Sequence, residues 1–342
     1  MNASAGWSVV RVGLGTPLGL SAPTTLAAVR AGVVRFAETD HDDGHGEAIR
    51  ASRLGRLEPG LTRSARVAAL AGWALRDCLG GLSPGALASP LPLVLALAEP
   101  GGAPVDEAAI VHALQAEAPA PLELREVVCA GRAGLFQLLE RLTGRDALVI
   151  AADSLCDPST LGRLERRGRV LAARRDGLIP GEAAGALLLA RGPSAAASEC
   201  PPPARVIACT SGHMTRGADR VRDLADGLTA VFGRLARDPG ASGERPRCVS
   251  SCQTGEVAEA RAFTYAALRQ APLMPEPLVH LRACESFGDT GAAAPALALA
   301  LAIHHLQRRG EPGRALLYGS ADDGAIGACL VDVAAAEPGE RR

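Results

Sequence analysis

Cys129 and Asp289 are the residues that most invite a chemical reading. Cys129 closes the stretch "LELREVVCAG" and precedes a run in which Leu135, Leu138, Leu139 and Leu142 would share one helical face. A thiol at a helix amino terminus meets exposed N–H groups and the positive dipole end. Both lower its pKa and can stabilise a tetrahedral oxyanion. The competing reading is a core thiol, since cysteine is among the most buried residue types. Asp289 stands in "GDTGAAAPALALALAI", an acid at the mouth of a helix almost free of charge. It could cap that helix by accepting N–H bonds from residues 291 or 292, or it could orient a base.

Other candidates are thinner. Cys252, in "SSCQTGEVAEA", could act as a thiolate base or simply fill space. His213 reads as structural, His304-His305 lie at a helix end, and His41 and His45 fall in a polar segment. None has metal-ligand spacing, so no metal is expected.

These residues need a scaffold, and the composition supplies one. The chain has 342 residues, 48% of them apolar, which suits a large buried core rather than disorder. Every basic residue is Arg and the net charge is near zero. No basic stripe is interleaved with aromatics, which argues against nucleic-acid binding. Nine scattered Cys without a CxxC pair fit a reduced, cytoplasmic setting. No export signal is read at the start, and the apolar run 292–303 is too short to span a membrane.

Strands and helices alternate. "WSVVRVGLG", "PLPLVLALA", "LELREVVC", "DALVIAAD" and "AGALLLAR" read as strands, and "TRSARVAALAGWALRDCL" as an amphipathic helix. Ser21 is the expected cap of a first helix that ends at Gly32. Residues 39–60 read as a polar loop. A Pro-rich linker at 193–203 separates an amino-terminal half (1–192) from a carboxyl-terminal half (204–335), with 336–342 a disordered tail. Beyond the linker come "RVIACTSGHM", a helix near 219–237, "RCVSSC", a helix at 256–270, "ALLYGS" and "AIGACLVDV". The class is α/β with mostly parallel strands. The two stretches "VVCAGRAGLFQLL" and "ACESFGDTGAAAPALAL" share one layout, which hints at similar halves.

Seven segments, in order, resemble the β-ketoacyl synthases of the thiolase-like superfamily. They are "VGLGTPLG", "VVCAGRAGL", "RRDGLIPGEAAGALLLAR", "CTSGHMT", "SSCQTGEVAEA", "GDTGAAAPALALAL" and "YGSADDGAIGACLV". The resemblance spans roughly residues 6–335. It implies two similar halves in a five-layer α-β-α-β-α sandwich, normally a dimer, and a pocket reached by a phosphopantetheine arm.

Carried over position by position, the resemblance makes Cys129 the nucleophile and puts Cys252 and Asp289 where the family has its two catalytic His. Cys284 replaces a Lys. Asp322, beside Asp323, takes the place of a loop Phe whose N–H helps form the oxyanion hole. Substrate-facing positions fall on Thr254, Gly288, Thr290, Asp322 and Gly324. Without both His, ordinary decarboxylative condensation is not expected, because a positioned acid/base commonly contributes ~10²-fold or more. Carboxylates near a thiol also oppose its ionisation. The resemblance therefore implies at most acyl transfer centred on Cys129. The substrate would be a phosphopantetheine-linked acyl group on an acyl carrier protein, or an acyl-CoA, with no bound cofactor. The alternative is an inactive binding or scaffold subunit: a homodimer, a heterodimeric partner of an active synthase, or a companion in a secretion locus.

Overall fold

Two stretches of the chain each place five strands of one sheet in the same spatial order. The computed structural model describes residues 6–101, 104–215, 217–310 and 312–335; the expected tail, 336–342, lies outside them. The first stretch runs β1 (Trp7–Gly15), α1 (Ala22–Arg30), β2 (Phe36–Asp42), β3 (Ala48–Ser52), α2 (Arg63–Leu79), β4 (Leu91–Leu97) and α3 (Glu107–Glu117). It continues through β5 (Leu122–Cys129), α4 (Gly134–Arg141), β6 (Asp146–Ser154), α5 (Pro158–Arg166) and β7 (Glu182–Ala190). A short α6 (Ala195–Glu199) leads to β8 (Ala204–His213), α7 (Arg220–Ala236), β9 (Cys248–Ser251), α8 (Val257–Arg269) and β10 (His280–Arg282). The chain ends with α9 (Cys284–Phe287), α10 (Ala294–Arg308), β11 (Gly313–Ser320) and β12 (Ala325–Val333).

The strand order is β10-β9-β11-β12-β8-β1-β7-β6-β4-β5. Read outward from the middle, β8-β12-β11-β9-β10 repeats β1-β7-β6-β4-β5, with the same parallel and antiparallel neighbours in each set. The sets meet through three antiparallel pairs, Trp7↔Val206, Ser8↔Arg205 and Val9↔Ala204.

Burial patterns explain the layers. Helix α10 is apolar all round, as a helix enclosed on every side must be, and it packs with α4 among strands of both sets. Helices α2 and α3 cover the outer face of the first set, and α7 and α8 that of the second. Val67, Leu70, Ala71, Ala74, Leu75 and Cys78 are all buried along α2, as the periodicity predicts. Ser21 caps α1, accepting from Thr24 N, and Gly32 follows with φ +68°.

Three expectations are corrected. The sheet is evenly mixed rather than mostly parallel: β11 returns to β12 through residues 321–324, a turn short enough only for antiparallel neighbours. Residues 39–60 are not all loop, because β2 pairs with β3. The linker contains α6, capped by Ser194.

Candidate functional site

Helix α4 does not begin at Cys129. The chain leaves β5 and turns at Gly131–Ala133, a single 3₁₀ turn that opens with Gly131 at φ +49°. Gly291–Ala293 makes the matching turn before α10, with Gly291 at φ +52°. Only glycine adopts this left-handed backbone at low cost. At each glycine the space a Cβ would need is held by a carboxylate: Glu99 Oε2 at Gly131 and Asp153 Oδ2 at Gly291. By this correspondence Cys129 matches Asp289 in the two halves, and Arg132 matches Ala292.

Arg132 is the centre of the site. It is 3% exposed, and its guanidinium spans elements from both halves. Its Nη1 donates to Asp289 Oδ2 at 2.8 Å, its Nη2 to Asp322 Oδ1 at 2.7 Å and its Nε to the Ser320 carbonyl at 2.8 Å. Glu259 Oε1 stands 3.9 Å from Nη2. Burial works against this charge, but Asp289, Asp322, Glu259 and Glu99 outweigh it and hold Arg132 well above its usual range. Arg169 extends the cluster by pairing with Asp322 and Glu256.

The acids respond according to their partners. Burial would raise Asp322, yet Arg132 and Arg169 together hold it far below the usual carboxylate range. Burial raises Asp289, with Arg132 opposing. Glu259 and Glu99, farther from compensating charge, are pushed by burial to about 7.

Asp289 is fixed on every side. Its Oδ1 accepts from Gly291 N at 2.9 Å, its own N–H reaches the Ile179 carbonyl, and its carbonyl accepts from Gly181 N. The Ala292 N–H goes instead to Asp153 Oδ2 at 3.1 Å. Asp153 in turn holds Arg63, with Nη2 to Oδ1 at 2.8 Å.

The remaining sequence-predicted residues divide between this cluster and places beyond it. Cys252 is buried beside it; burial drives the thiol well up, although Arg132 opposes. Thr254 donates its N–H to Glu259 Oε2 at 2.7 Å and its hydroxyl to Glu256 Oε2 at 2.9 Å. Thr290 is buried and its hydroxyl has no partner among the described residues. Gly288, at φ +68°, passes against the Ile179 carbonyl, and Gly324, at φ +98°, closes the 321–324 turn. Cys284 is half-buried, its thiol pushed by burial to about 12.

Cys129 is not brought to them. It is exposed at the end of β5, in a separate recess of about 210 Å3 with Val105 and Glu107. Its Sγ lies 3.8 Å from Glu107 Oε1. Burial, then Glu107, raises the thiol rather than lowering it. Being two residues short of the turn, it receives none of the helix-terminus stabilisation expected from sequence.

A cavity of about 320 Å3 opens above Arg132. Residues 98–101 border both this cavity and the Cys129 recess. Arg63, Arg163 and Arg167 line it from the first half, and Asp289, Asp322 and Asp323 from the second. No His or Cys is among its described lining residues. The sequence reading missed Arg132, Asp153, Glu99, Glu259 and Arg169. The one signal was an Arg set among small residues in "CAGRAG", just ahead of an apolar helix.

A second buried cluster supports the first. Arg66 Nε donates to Glu182 Oε2 at 2.7 Å, with both side chains fully buried. Ser154 Oγ and Leu54 N complete the acceptance at Glu182. Nothing among the described residues groups three metal-ligating side chains, and no helix among them is long and apolar enough to cross a membrane.

No protein-family model matches the sequence, and no curated protein matches it. Solved structures do match. The ishigamide ketosynthase/chain length factor superposes with a TM-score of 0.69 at 19% identity, over 96% of this chain and 99% of the other. The ketosynthase from module 6 of the bacillaene synthase of Bacillus subtilis 168 gives 0.78 at 12% identity, over 97% of this chain and 72% of the other. The AntDE:AntF structure, a type II PKS acyl-carrier protein in complex with its ketosynthase bound to the hexaketide, gives 0.74 at 14% identity, over 96% and 100%. The chain therefore has the thiolase-like fold of the ketosynthases and chain length factors.

Proposed function

We propose that this protein is a ketosynthase-like subunit of polyketide- or fatty-acid-type synthesis that does not condense, and that binds or scaffolds instead. The observation that carries this reading is the pairing of Arg132 with Asp289 and Asp322. Condensation through a covalent acyl enzyme needs an ionisable thiol within reach of groups that stabilise developing negative charge. Here an already neutralised guanidinium is ringed by carboxylates, which repel an enolate, and the nearest thiol, Cys252, is buried and held protonated.

The partner would be another ketosynthase-like chain, an identical copy, or an acyl carrier protein of the kind present in the AntDE:AntF complex. Strand β5 is one of the two edges of the sheet, and Leu124 on it is 41% exposed. Such an edge offers unpaired backbone groups to another chain.

A second reading, acyl transfer on Cys129, is favoured by that residue's exposure beside its own recess. One experiment separates the two. The protein is incubated with acyl-CoA and acyl-carrier-protein thioesters and its intact mass is read. The scaffold reading expects no acyl adduct. An adduct that forms with either donor and vanishes in Cys129→Ala would establish the transfer reading instead.

A further inference from the structure

The geometry points to the cavity above Arg132 as a binding site for a small oxyanion, a carboxylate or a phosphate, received by Arg163 and Arg167. Charge accounting in the lining leads there. Arg132 is committed to Asp289 and Asp322, and Arg63 to Asp153. Arg163 and Arg167 line the same cavity. Among the described residues neither makes a hydrogen bond through its guanidinium or an ion pair, and the buried Nε of Arg163 has no partner. Arg163 and Arg167 therefore line the cavity beside Arg63, which is held by Asp153.

This arrangement has an electrostatic signature. Burial, then Arg63 and Arg167, lower the pKa of Arg163, while Asp322 and Asp157 act weakly the other way. A cation held among cations and partly out of water is stabilised by a counter-anion. The end of α5 favours basic residues through the helix dipole, and this accounts for their presence. It does not account for the buried Nε of Arg163, which lies at the cavity with no partner among the described residues. A planar guanidinium pair suits the flat or tetrahedral oxygens of a carboxylate or phosphate. A volume of about 320 Å3 sits at the lower end of the range small-molecule sites occupy, ~300–1,000 Å3.

The opposite wall tunes the site. Among the described residues Glu99 forms no ion pair, though it accepts from Asp322 N at 3.3 Å. It faces Arg132, Asp322, Asp289 and Asp153, with Arg63 also within electrostatic reach, and burial raises it to about 7. Neutral, it tolerates an anion. Ionised, it repels one. Binding at this wall would be independent of any chemistry at Cys129.

The test is calorimetric titration of the whole protein with inorganic phosphate, with succinate and with neutral succinamide. Saturable binding of phosphate, of succinate or of both is expected, and it identifies the class of oxyanion. Succinamide should not bind. The Arg163→Gln/Arg167→Gln protein should bind at least tenfold more weakly, while Arg222→Gln, on the exposed face of α7, should bind as the parent does. Glu99→Gln supplies a readout that does not depend on the double variant folding: above pH 7 it should bind succinate several-fold more tightly than the parent. No saturable binding of either anion, equal binding of succinamide, or an unchanged affinity in the double variant overturns the assignment.

Discussion

Arg132 Nη1 and Asp289 Oδ2 meet at 2.8 Å across the seam between the two halves, although 157 positions separate them in the chain. Each residue stands at or beside one of the two matching turns, so this single contact ties the turns together.

Removing Arg132 should therefore be costly. Arg132→Met leaves Asp289, Asp322 and Glu259 without their shared partner in a buried site. Loss of one member of such a group typically costs ~3–5 kcal/mol. Urea denaturation should show that loss in the midpoint, and Arg132→Met/Asp289→Asn/Asp322→Asn should recover most of it. A loss under about 1 kcal/mol would mean that the acids simply take up protons.

Stability should peak on the acid side of neutrality. Glu99 and Glu259 are pushed by burial from 4.5 to about 7. The unfolded chain thus releases these protons first, and stability falls as pH rises from about 4.5 to about 7, then levels off. At ~1.4 kcal/mol per pKa unit the limit is roughly 3 kcal/mol for each. Below the usual carboxylate range the sign reverses. Asp322 and Glu256 are held low by arginine against burial, and protonating them removes the pairing. Chemical denaturation between pH 2 and 9 should show this asymmetric dome, with a shallower fall above its maximum in Glu99→Gln.

Gly131→Ala combines two costs. A left-handed φ of +49° penalises any side chain, by ~1–3 kcal/mol, and Glu99 must leave the position it holds. Adding Glu99→Ala should recover only the second part. Full recovery would show that the backbone had relaxed to an ordinary conformation.

Among the nine cysteines, one equivalent of maleimide should label Cys129 first, since it is the exposed one. The rate at pH 7.5 should nevertheless fall below that of a free thiol, because burial and Glu107 keep the proton on. Glu107→Gln should speed the reaction several-fold. A rate above that of free cysteine would reveal an activated thiolate and contradict the electrostatics.

Leu124→Arg places a charge on the free edge strand without disturbing the core. If β5 is the surface that associates, analytical ultracentrifugation should show at least tenfold weaker association with an unchanged thermal midpoint. Equal association would place the interface elsewhere.

Much of the architecture was legible because it rests on periodicity. The buried face of α2 and the strands β4 to β9, β11 and β12 show in the sequence, whereas the three-residue β10 does not. The hairpin β2–β3 did not show, since "FAETDHD" is polar after its first two residues. The site was misplaced for a related reason. Periodicity says that a helix follows "VVCAGRAG", but the point at which the backbone reverses is set by one dihedral at Gly131, and this puts Arg132 rather than Cys129 at its mouth. Arg66, on an otherwise ordinary amphipathic helix, reads as surface until Glu182 arrives from 116 positions away. Long-range ion pairs leave no trace in local spacing.

The two free edges of the sheet are unequal in a way that limits how copies can grow. Strand β5 offers eight residues, and β10 at the far end offers three. A head-to-tail chain of molecules would have to splice the long edge onto the short one, leaving most of each β5 unsatisfied at every joint. Two long edges brought together instead would satisfy each other and stop. If copies associate through these edges, the brevity of β10 favours a closed pair over an open filament.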